Sequence, residues 1–550
     1  GDAVNAQPDV ESTMQDDLPL TVPMILRHAL TLHGPARIGV VTPQGTKHTT
    51  VAATAERIHA LTGALRAAGI QPRECVGTFA WNTLPHLEAY FAIPASGAVL
   101  HTINVRLAPD DIAFIVGEAG DRLVFLDVSL WDTFLAVLPR CPSVERIILC
   151  GDARGMDTSA PIQVTDYESF LAAAEPLTAD VADERAPAAM CYTSGTTGRP
   201  KGVVYSHRSI YLHAAANLFA GGFGICDRDT VLQVVPMFHA NGWGFPYAAF
   251  LAGASLVLPD RHLTPEALVS LIQAERPTVS GGVPTVWRSV FDHAEATGAD
   301  LSSLRLISCA GSVVPQSLLR DWLGRGVEMY QAWGMTETSP LVAIARPPHF
   351  DRQRDQWYWR TRTGRAVPGV EIRAVGGDGV VLPADGATAG DLQVRGPWVT
   401  GRYHGDRGSD AFQEGWLRTG DFGTIDDAGA MKITDRSKDL IKSGGEWISS
   451  AAIEDRLSEL PDVIEAACIG IPDPRWQERP LALVTVRPGA TVTMAQVREH
   501  LEHTVATWQV PDRVLAVSSI ARTGVGKIDK PALRHAYAMG QLNGVELPHG

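Results

Sequence analysis

The segment Tyr192-Thr193-Ser194-Gly195-Thr196-Thr197-Gly198-Arg199-Pro200-Lys201-Gly202 carries the residue types that bind phosphate. Its glycines free the backbone to turn, so amide N–H groups can converge on an anion, while hydroxyls and Lys201 add donors and a positive charge. The apolar run Ala188 to Tyr192 just before it predicts a buried strand. A Walker-type loop would need Ser or Thr directly after Gly-Lys. Here Gly202 follows Lys201, and Pro200 precedes it, which disfavours a helix starting there. A Gly/Thr-rich surface turn is the plain alternative. Distant segments that fit the same chemistry argue against it.

The first of these is Val234 to Gly244, where His239, Asn241 and Trp243 stand among small residues. His239 could steer a carboxylate, and Trp243, flanked by Gly242 and Gly244, could border a cavity; a core histidine is the plainer reading. Next, Leu306 to Cys309 predicts a strand leading into Ala310-Gly311-Ser312, and Gly311 would let a planar ligand approach the strand's C-terminal edge. In Gln331-Ala332-Trp333-Gly334-Met335-Thr336-Glu337, the indole can cover an adenine and the carboxylate can hold magnesium near phosphates. Asp421, in Trp416 to Asp421, can accept hydrogen bonds from ribose hydroxyls; a turn aspartate is the alternative. Lys527, between Gly526 and Ile528, is expected at the tip of a mobile loop.

These segments need a scaffold larger than one core usually supports, and 550 residues provide two or more domains. Ile58, Leu61 and Leu65 predict a core-facing helix ending at Gly69, while Leu123 to Leu126 and Ile147 to Leu149 predict buried strands; this alternation implies a parallel sheet. Residues 171 to 187 read as a solvated connection. From Gly364 onward, short alternating strands bounded by Gly and Pro predict a small antiparallel subdomain. The charged segment Asp435 to Asp439 precedes a new helical face, Ile453, Leu457 and Leu460, and marks the expected domain boundary.

The expected fold class is α/β: a large N-terminal domain of layered α/β sheets with a small β-subdomain, then a small mobile C-terminal α/β lid. Residues 1–21 read as a disordered leader, 22–434 as the N-terminal domain and 435–550 as the lid. Lys+Arg at 47 against Asp+Glu at 61, a net charge of -14, argues against a nucleic-acid footprint. The longest apolar stretch, Tyr247 to Pro259, is too short to cross a bilayer, so no transmembrane segment is expected. Seven cysteines without paired spacing read as small buried residues in a reducing cytoplasm.

Together the motifs resemble the adenylate-forming enzymes, which include acyl-CoA synthetases, peptide-synthetase adenylation domains and luciferases. The resemblance spans about residues 22 to 537. Val235 to His239, Lys442 to Ser449 and Trp476 to Pro480 look most like medium- and long-chain fatty acyl-CoA synthetases. Two positions depart from the family's habit: Ala521 stands where proline is frequent, and Trp333 where tyrosine is.

The resemblance implies two half-reactions. A carboxylic acid attacks the α-phosphate of ATP, releasing pyrophosphate, and the thiol of coenzyme A then displaces AMP. Thr193, Ser194, Gly195, Thr196, Thr197, Gly198 and Lys201 would hold phosphates, and Thr196 and Glu337 would ligate Mg2+. Gly311, Ser312, Trp333, Gly334, Met335 and Thr336 would border the nucleotide, with Asp421 and Arg436 on the ribose and Trp447 nearby. His239, Asn241, Trp243, Gly282 and Gly311 would line the acyl pocket. Lys527 would serve adenylation; the lid, turning about Asp435, would then present Lys442, Ser443, Gly444 and Gly445 to coenzyme A. The motifs leave the acid open, from straight fatty acids to bulky alicyclic, aromatic or terpenoid ones, and the choice between monomer and homodimer open too. Loading of a carrier protein and a non-catalytic nucleotide sensor are the competing classes. The first usually keeps an acidic residue that Phe238 to Asn241 lacks; the second would tolerate loss of Lys527 or Glu337.

Overall fold

The computed structural model describes residues 9–193, 199–349, 351, 353–436, 439–443, 446–502, 505, 507–523 and 526–550, with the backbone alone at Asp435, Arg436, Lys442, Glu446 and Trp447. Among these residues the strands assemble into four sheets. The fully buried strand Leu123–Asp127 pairs in parallel with Cys75–Phe79 and Arg146–Cys150, as apolar runs without alternation require. That seven-stranded sheet continues through Val99–Thr102 and Pro187–Tyr192 to an antiparallel edge, Gly202–Ser206.

A nine-stranded sheet has a parallel centre of Ser255–Leu258, Thr230–Leu232, Val279–Gly282, Leu306–Cys309 and Glu328–Gly334. Open α/β sheets bind ligands beyond the carboxyl ends of such strands. The segments after Leu232, Cys309 and Gly334 are the ones carrying His239, Gly311 and Glu337. The helix Val51–Ala67 buries Ile58, Leu61 and Leu65, is capped by the Thr50 hydroxyl, and gives way to Gly69 at φ 83°. The apolar stretch from Tyr247 divides into a helix, Phe245–Ala252, and the strand Ser255–Leu258; Gly253, at φ 77°, makes the turn. Among the described residues no helix is long and apolar enough to cross a membrane.

The antiparallel subdomain predicted beyond Gly364 comprises Glu371–Val375, Gly390–Arg395, Phe412–Gln413, Trp416–Ile425 and Met431–Arg436. Asp421 lies inside a ten-residue strand, not at a turn. Asp435 is likewise strand, opposite Phe422. Beyond it a six-stranded sheet built around Val463–Asp473 and Gln477–Val486 carries helices Ser450–Ser458, Met494–Glu502 and Lys530–Ala538. This C-terminal unit has cores of its own, one containing Ile453, Leu457, Val484 and Leu501. Leu460 falls just past the helix end and is half-buried. The connection after helix Tyr167–Ala172 is tethered by Leu177 N–H donating to the His59 carbonyl at 2.9 Å. Five of the cysteines are buried; Cys75 is partly so and Cys226 is exposed, a departure from the expectation.

Candidate active site

The strands Pro187–Tyr192 and Gly202–Ser206 form a hairpin whose last pair is Tyr192 with Gly202. The intervening segment therefore returns as a strand, where a Walker-type loop would lead into a helix. Thr193 N–H donates to the Lys201 carbonyl at 2.9 Å and Lys201 N–H to the Thr193 hydroxyl at 3.0 Å, closing the neck. Ser194, Gly195, Thr196, Thr197 and Gly198 lie outside the described residues. Both flanks are tied to the helix Pro109–Ala119. The Tyr192 hydroxyl donates to Glu118 at 3.0 Å, while Arg407 pairs with Glu118 at 2.9 Å and donates to the Pro200 carbonyl at 2.8 Å. Sequence reasoning missed Glu118 and Arg407, for neither sits in a motif.

The hairpin opens into a cleft of about 2110 Å³ that also brings together His239, Trp243, Gly311 and Ser312. Its walls further include Trp333, Gly334, Met335, Thr336 and Glu337, then Asp421 and Lys527. Gly334 is required where it stands, since a Cβ there would come within 1.7 Å of the Pro340 carbonyl oxygen. Gly311, at φ 95°, faces Val283 closely enough that a Cβ would sit 2.9 Å from it.

Glu337 is 8% exposed, and Tyr403, another residue the sequence did not single out, donates its hydroxyl to it at 2.8 Å. Burial pushes the Glu337 carboxyl up; the Tyr403 hydrogen bond and the charges of Lys527 and Lys201 oppose that rise. Lys201 itself lies 5.6 Å from the centre of the Tyr403 ring. A carboxylate is the kind of oxygen donor that suits a hard divalent cation. On another wall the Trp333 indole donates to Asp421 at 3.2 Å. Asp421 pairs in register with Arg436, whose side chain lies outside the described residues, as does that of Trp447.

Ala240, Asn241, Gly242, Trp243 and Gly244 all have φ between 42° and 72°, a left-handed turn that non-glycine residues enter at a cost. The turn is held by Gln233, which is fully buried and donates to the Gly242 carbonyl at 3.0 Å. Trp243 thereby faces the cleft at 9% exposure. Asn241 does not. In a helical turn residues two apart point about 200° from each other, and the Asn241 carboxamide oxygen accepts from Cys191 at 3.2 Å inside the core. Gly282 is also off the cleft wall; a Cβ on it would sit 2.8 Å from the Trp287 indole nitrogen, so packing explains that glycine. His239 titrates at about 4, lowered by burial and then by the charges of Lys527 and Arg106, so its imidazole is neutral at pH 7.

Lys527 reaches the cleft from the C-terminal unit. Its carbonyl accepts from Thr523 N–H at 2.7 Å, its own N–H donates to the Thr523 hydroxyl at 3.3 Å, and Gly526 takes φ 84°. Ser443 is not brought to the cleft: it is buried, and its hydroxyl accepts from Arg479 at 3.3 Å. Gly444, Gly445 and the Lys442 side chain lie outside the described residues, as does the Asp435 side chain.

Two family matches cover most of the chain: AMP-binding enzyme over residues 28–404, and AMP-binding enzyme C-terminal domain over residues 452–527. The chain is similar to a long-chain-fatty-acid–CoA ligase of Thermus thermophilus, 41% identical over 546 residues, with 98% of each protein covered. It is also similar to a 3-methylmercaptopropionyl-CoA ligase of Ruegeria pomeroyi, 40% identical over 531 residues, 94% of this chain and 97% of the relative. Among solved structures, an anthranilate CoA ligase in complex with anthranoyl-AMP matches with a TM-score of 0.85 at 25% identity, over 95% of this chain and 99% of that one.

Proposed function

Because this chain belongs to the AMP-binding enzyme family, as an acid–thiol ligase that uses ATP, Mg2+ and coenzyme A, we propose that its acid is a medium- or long-chain fatty acid. The observation that carries the fatty-acid reading is the 41% identity, over 98% of both proteins, to a long-chain-fatty-acid–CoA ligase; Lys527 standing in the cleft, where its charge bears on both His239 and Glu337, supports the adenylation step. A carboxylate is a poor target for a thiol until its oxygen becomes a leaving group. Transfer to the AMP phosphate achieves this.

In the first step the acid's carboxylate lies between His239 and Gly311 and attacks the α-phosphate. Lys527 neutralises charge building on the oxygens that react, an electrostatic contribution preorganised by its tight turn. The neutral His239 directs the carboxylate by donating its ring N–H to it. Trp333 and Asp421 position adenine and ribose, with Arg436 beside Asp421. Glu337, with Thr196 from the phosphate loop, would hold the magnesium ion, which supplies charge neutralisation on the phosphates. In the second step residues 435–550 turn about Asp435, withdrawing Lys527 and bringing Gly444 and Gly445, with Lys442 nearby, to the pantetheine arm. Thr193 and Lys201 hold the neck of the phosphate loop throughout. The cytoplasm, where ATP and coenzyme A are both present, is the location this reading favours.

The relatives near 40% identity bear the names of ligases for 3-methylmercaptopropionate and for long-chain fatty acids, so chain length is the property to test. Pyrophosphate release and CoA thioester formation, measured over acids graded in length and bulk, should peak with an unbranched fatty acid. A peak with an aromatic or alicyclic acid would overturn the fatty-acid reading. Release that depends on a carrier protein and not on coenzyme A would overturn the ligase reading.

A further inference from the structure

Helix Pro109–Ala119 turns one face to the flanks of the phosphate segment. Asp111, Phe114 and Glu118 are spaced three and four apart, so they follow one another along that face. The Arg199 guanidinium lies 4.9 Å from the centre of the Phe114 ring and 3.9 Å from the Asp111 carboxylate. On the opposite flank the Tyr192 hydroxyl donates to Glu118 at 3.0 Å. Arg407 closes the arrangement. Its guanidinium lies 5.1 Å from the same Phe114 ring, pairs with Glu118 at 2.9 Å and donates to the Pro200 carbonyl at 2.8 Å. Glu118 thus receives Tyr192 from before the segment and, through Arg407, is tied to Pro200 after it.

Arg407 belongs to a stretch that also reaches the other groups assigned to phosphate and magnesium. Tyr403, 7% exposed, donates its hydroxyl to Glu337 at 2.8 Å, and the Lys201 ammonium lies 5.6 Å from the centre of its ring. Gly408, at φ 72°, passes so close to Lys201 that a Cβ there would sit 2.8 Å from Cε. A Cβ on Gly202 would sit 3.1 Å from that of His404. Residues 403–408 therefore touch Lys201, the Glu337 carboxylate and the anchor of the phosphate segment at once.

We propose that Glu118 and Arg407 are positioning residues for the β- and γ-phosphates of ATP. They fix Tyr192 and Pro200, and with them the neck at Thr193 and Lys201, to the helix, and Tyr403 sets Glu337 relative to that neck. The inference rests on the acyl-CoA ligase reading. Neither side chain touches a reacting atom; each acts through the backbone and side chains that do. The arrangement matters because displacing a group that meets the reacting atoms by about 1 Å can cost about a hundredfold in rate. It should matter for ATP and not for AMP, which lacks the two phosphates that leave.

The test compares the full-length wild type with Glu118→Gln, Arg407→Gln, Arg407→Lys and the double variant Glu118→Gln/Arg407→Gln. Calorimetry without acid gives Kd for ATP with magnesium and Kd for AMP; the pyrophosphate burst and thioester formation from supplied acyl-adenylate give the two half-reactions. In Glu118→Gln and Arg407→Gln, Kd for ATP is expected to rise fivefold or more and the burst rate to fall tenfold or more. Kd for AMP and the thioester rate should stay within twofold. Arg407→Lys, which keeps the charge but has no fork to serve both acceptors, should fall between; with Glu118→Gln it covers the case in which Arg407→Gln fails to fold. The double variant should be no worse than the weaker single one, since the two residues form one tie. Equal changes in the affinities for ATP and AMP, or equal losses in the two half-reactions, would mean a merely structural role and overturn the proposal, as would an unchanged Kd for ATP in the single variants. Absence of a pyrophosphate burst with every acid in the wild type would instead overturn the ligase reading on which it rests.

Discussion

The Trp333 indole N–H donates to the Asp421 carboxylate at 3.2 Å, joining the central sheet to the antiparallel subdomain across the cleft. Trp333→Phe keeps a ring face for adenine and removes that donor. A hydrogen bond to a charged group contributes about 1.5 to 3 kcal/mol when well buried, and both residues are half-exposed, so the effect should fall at the low end. KM for ATP is expected to rise about three- to tenfold, with kcat changed less than twofold. An unchanged KM would show that the indole N–H plays no part in placing the ribose carboxylate.

Tyr403 and Glu337 predict a pH dependence. Burial raises the Glu337 carboxyl, so on acidification it takes up its proton sooner than an ordinary carboxylate, and magnesium-dependent adenylation should fall through that raised value. Tyr403→Phe removes a hydrogen bond that favours the ionised form. The acidic limb of ATP–pyrophosphate exchange should therefore move to higher pH, and more magnesium should be needed for half-maximal rate. A limb that stays in place, or moves to lower pH, contradicts the assignment of Glu337.

What the sequence made legible here was local chemistry. The glycine-rich loop, Trp333 to Glu337 and Lys527 announce themselves because residue types and short spacings survive without a fold. Glu118, Arg407 and Tyr403 were invisible for the opposite reason: each acts across more than sixty residues of chain on a partner no motif names. Asn241 was misplaced because its neighbours in sequence line the cleft, while the left-handed turn sends its side chain inward. The helical face at Ile453 was read one turn too long, because Leu460 shares the spacing but follows the helix end. The hairpin form of the phosphate segment depends on which strand Gly202–Ser206 pairs with, a long-range choice that periodicity does not encode.

Trp243 faces the cleft from a strained turn, on the wall proposed to take the acid's tail. Trp243→Ala leaves the left-handed backbone occupied by a side chain and removes the indole. The ranking of acids should change by fivefold or more between the best and worst substrates, while KM for ATP stays within twofold. A fixed ranking with a steep rise in KM for ATP would make Trp243 a nucleotide-side or core residue.

Asp435 sits in the strand Met431–Arg436, one residue from its end and opposite Phe422. Proline there fixes φ near -65° and removes an N–H. Asp435→Pro should retain the pyrophosphate burst on mixing with acid and ATP, and lose tenfold or more in thioester formation when coenzyme A is added, about 1.4 kcal/mol on the second barrier. Wild-type rates in both steps would mean that residues 435–550 do not pivot at this position.

Lys527 carries the central claim, since from the C-terminal unit its charge bears on both His239 and Glu337. The direct measurement is Lys527→Ala assayed in each half-reaction separately: the pyrophosphate burst with acid and ATP, and thioester formation from supplied acyl-adenylate and coenzyme A. Removal of one preorganised charge costs on the order of 3 kcal/mol, so the burst rate should fall by a hundredfold or more while the thioester rate stays within about fivefold of wild type. Equal losses in the two half-reactions, or an undiminished burst, would contradict the account.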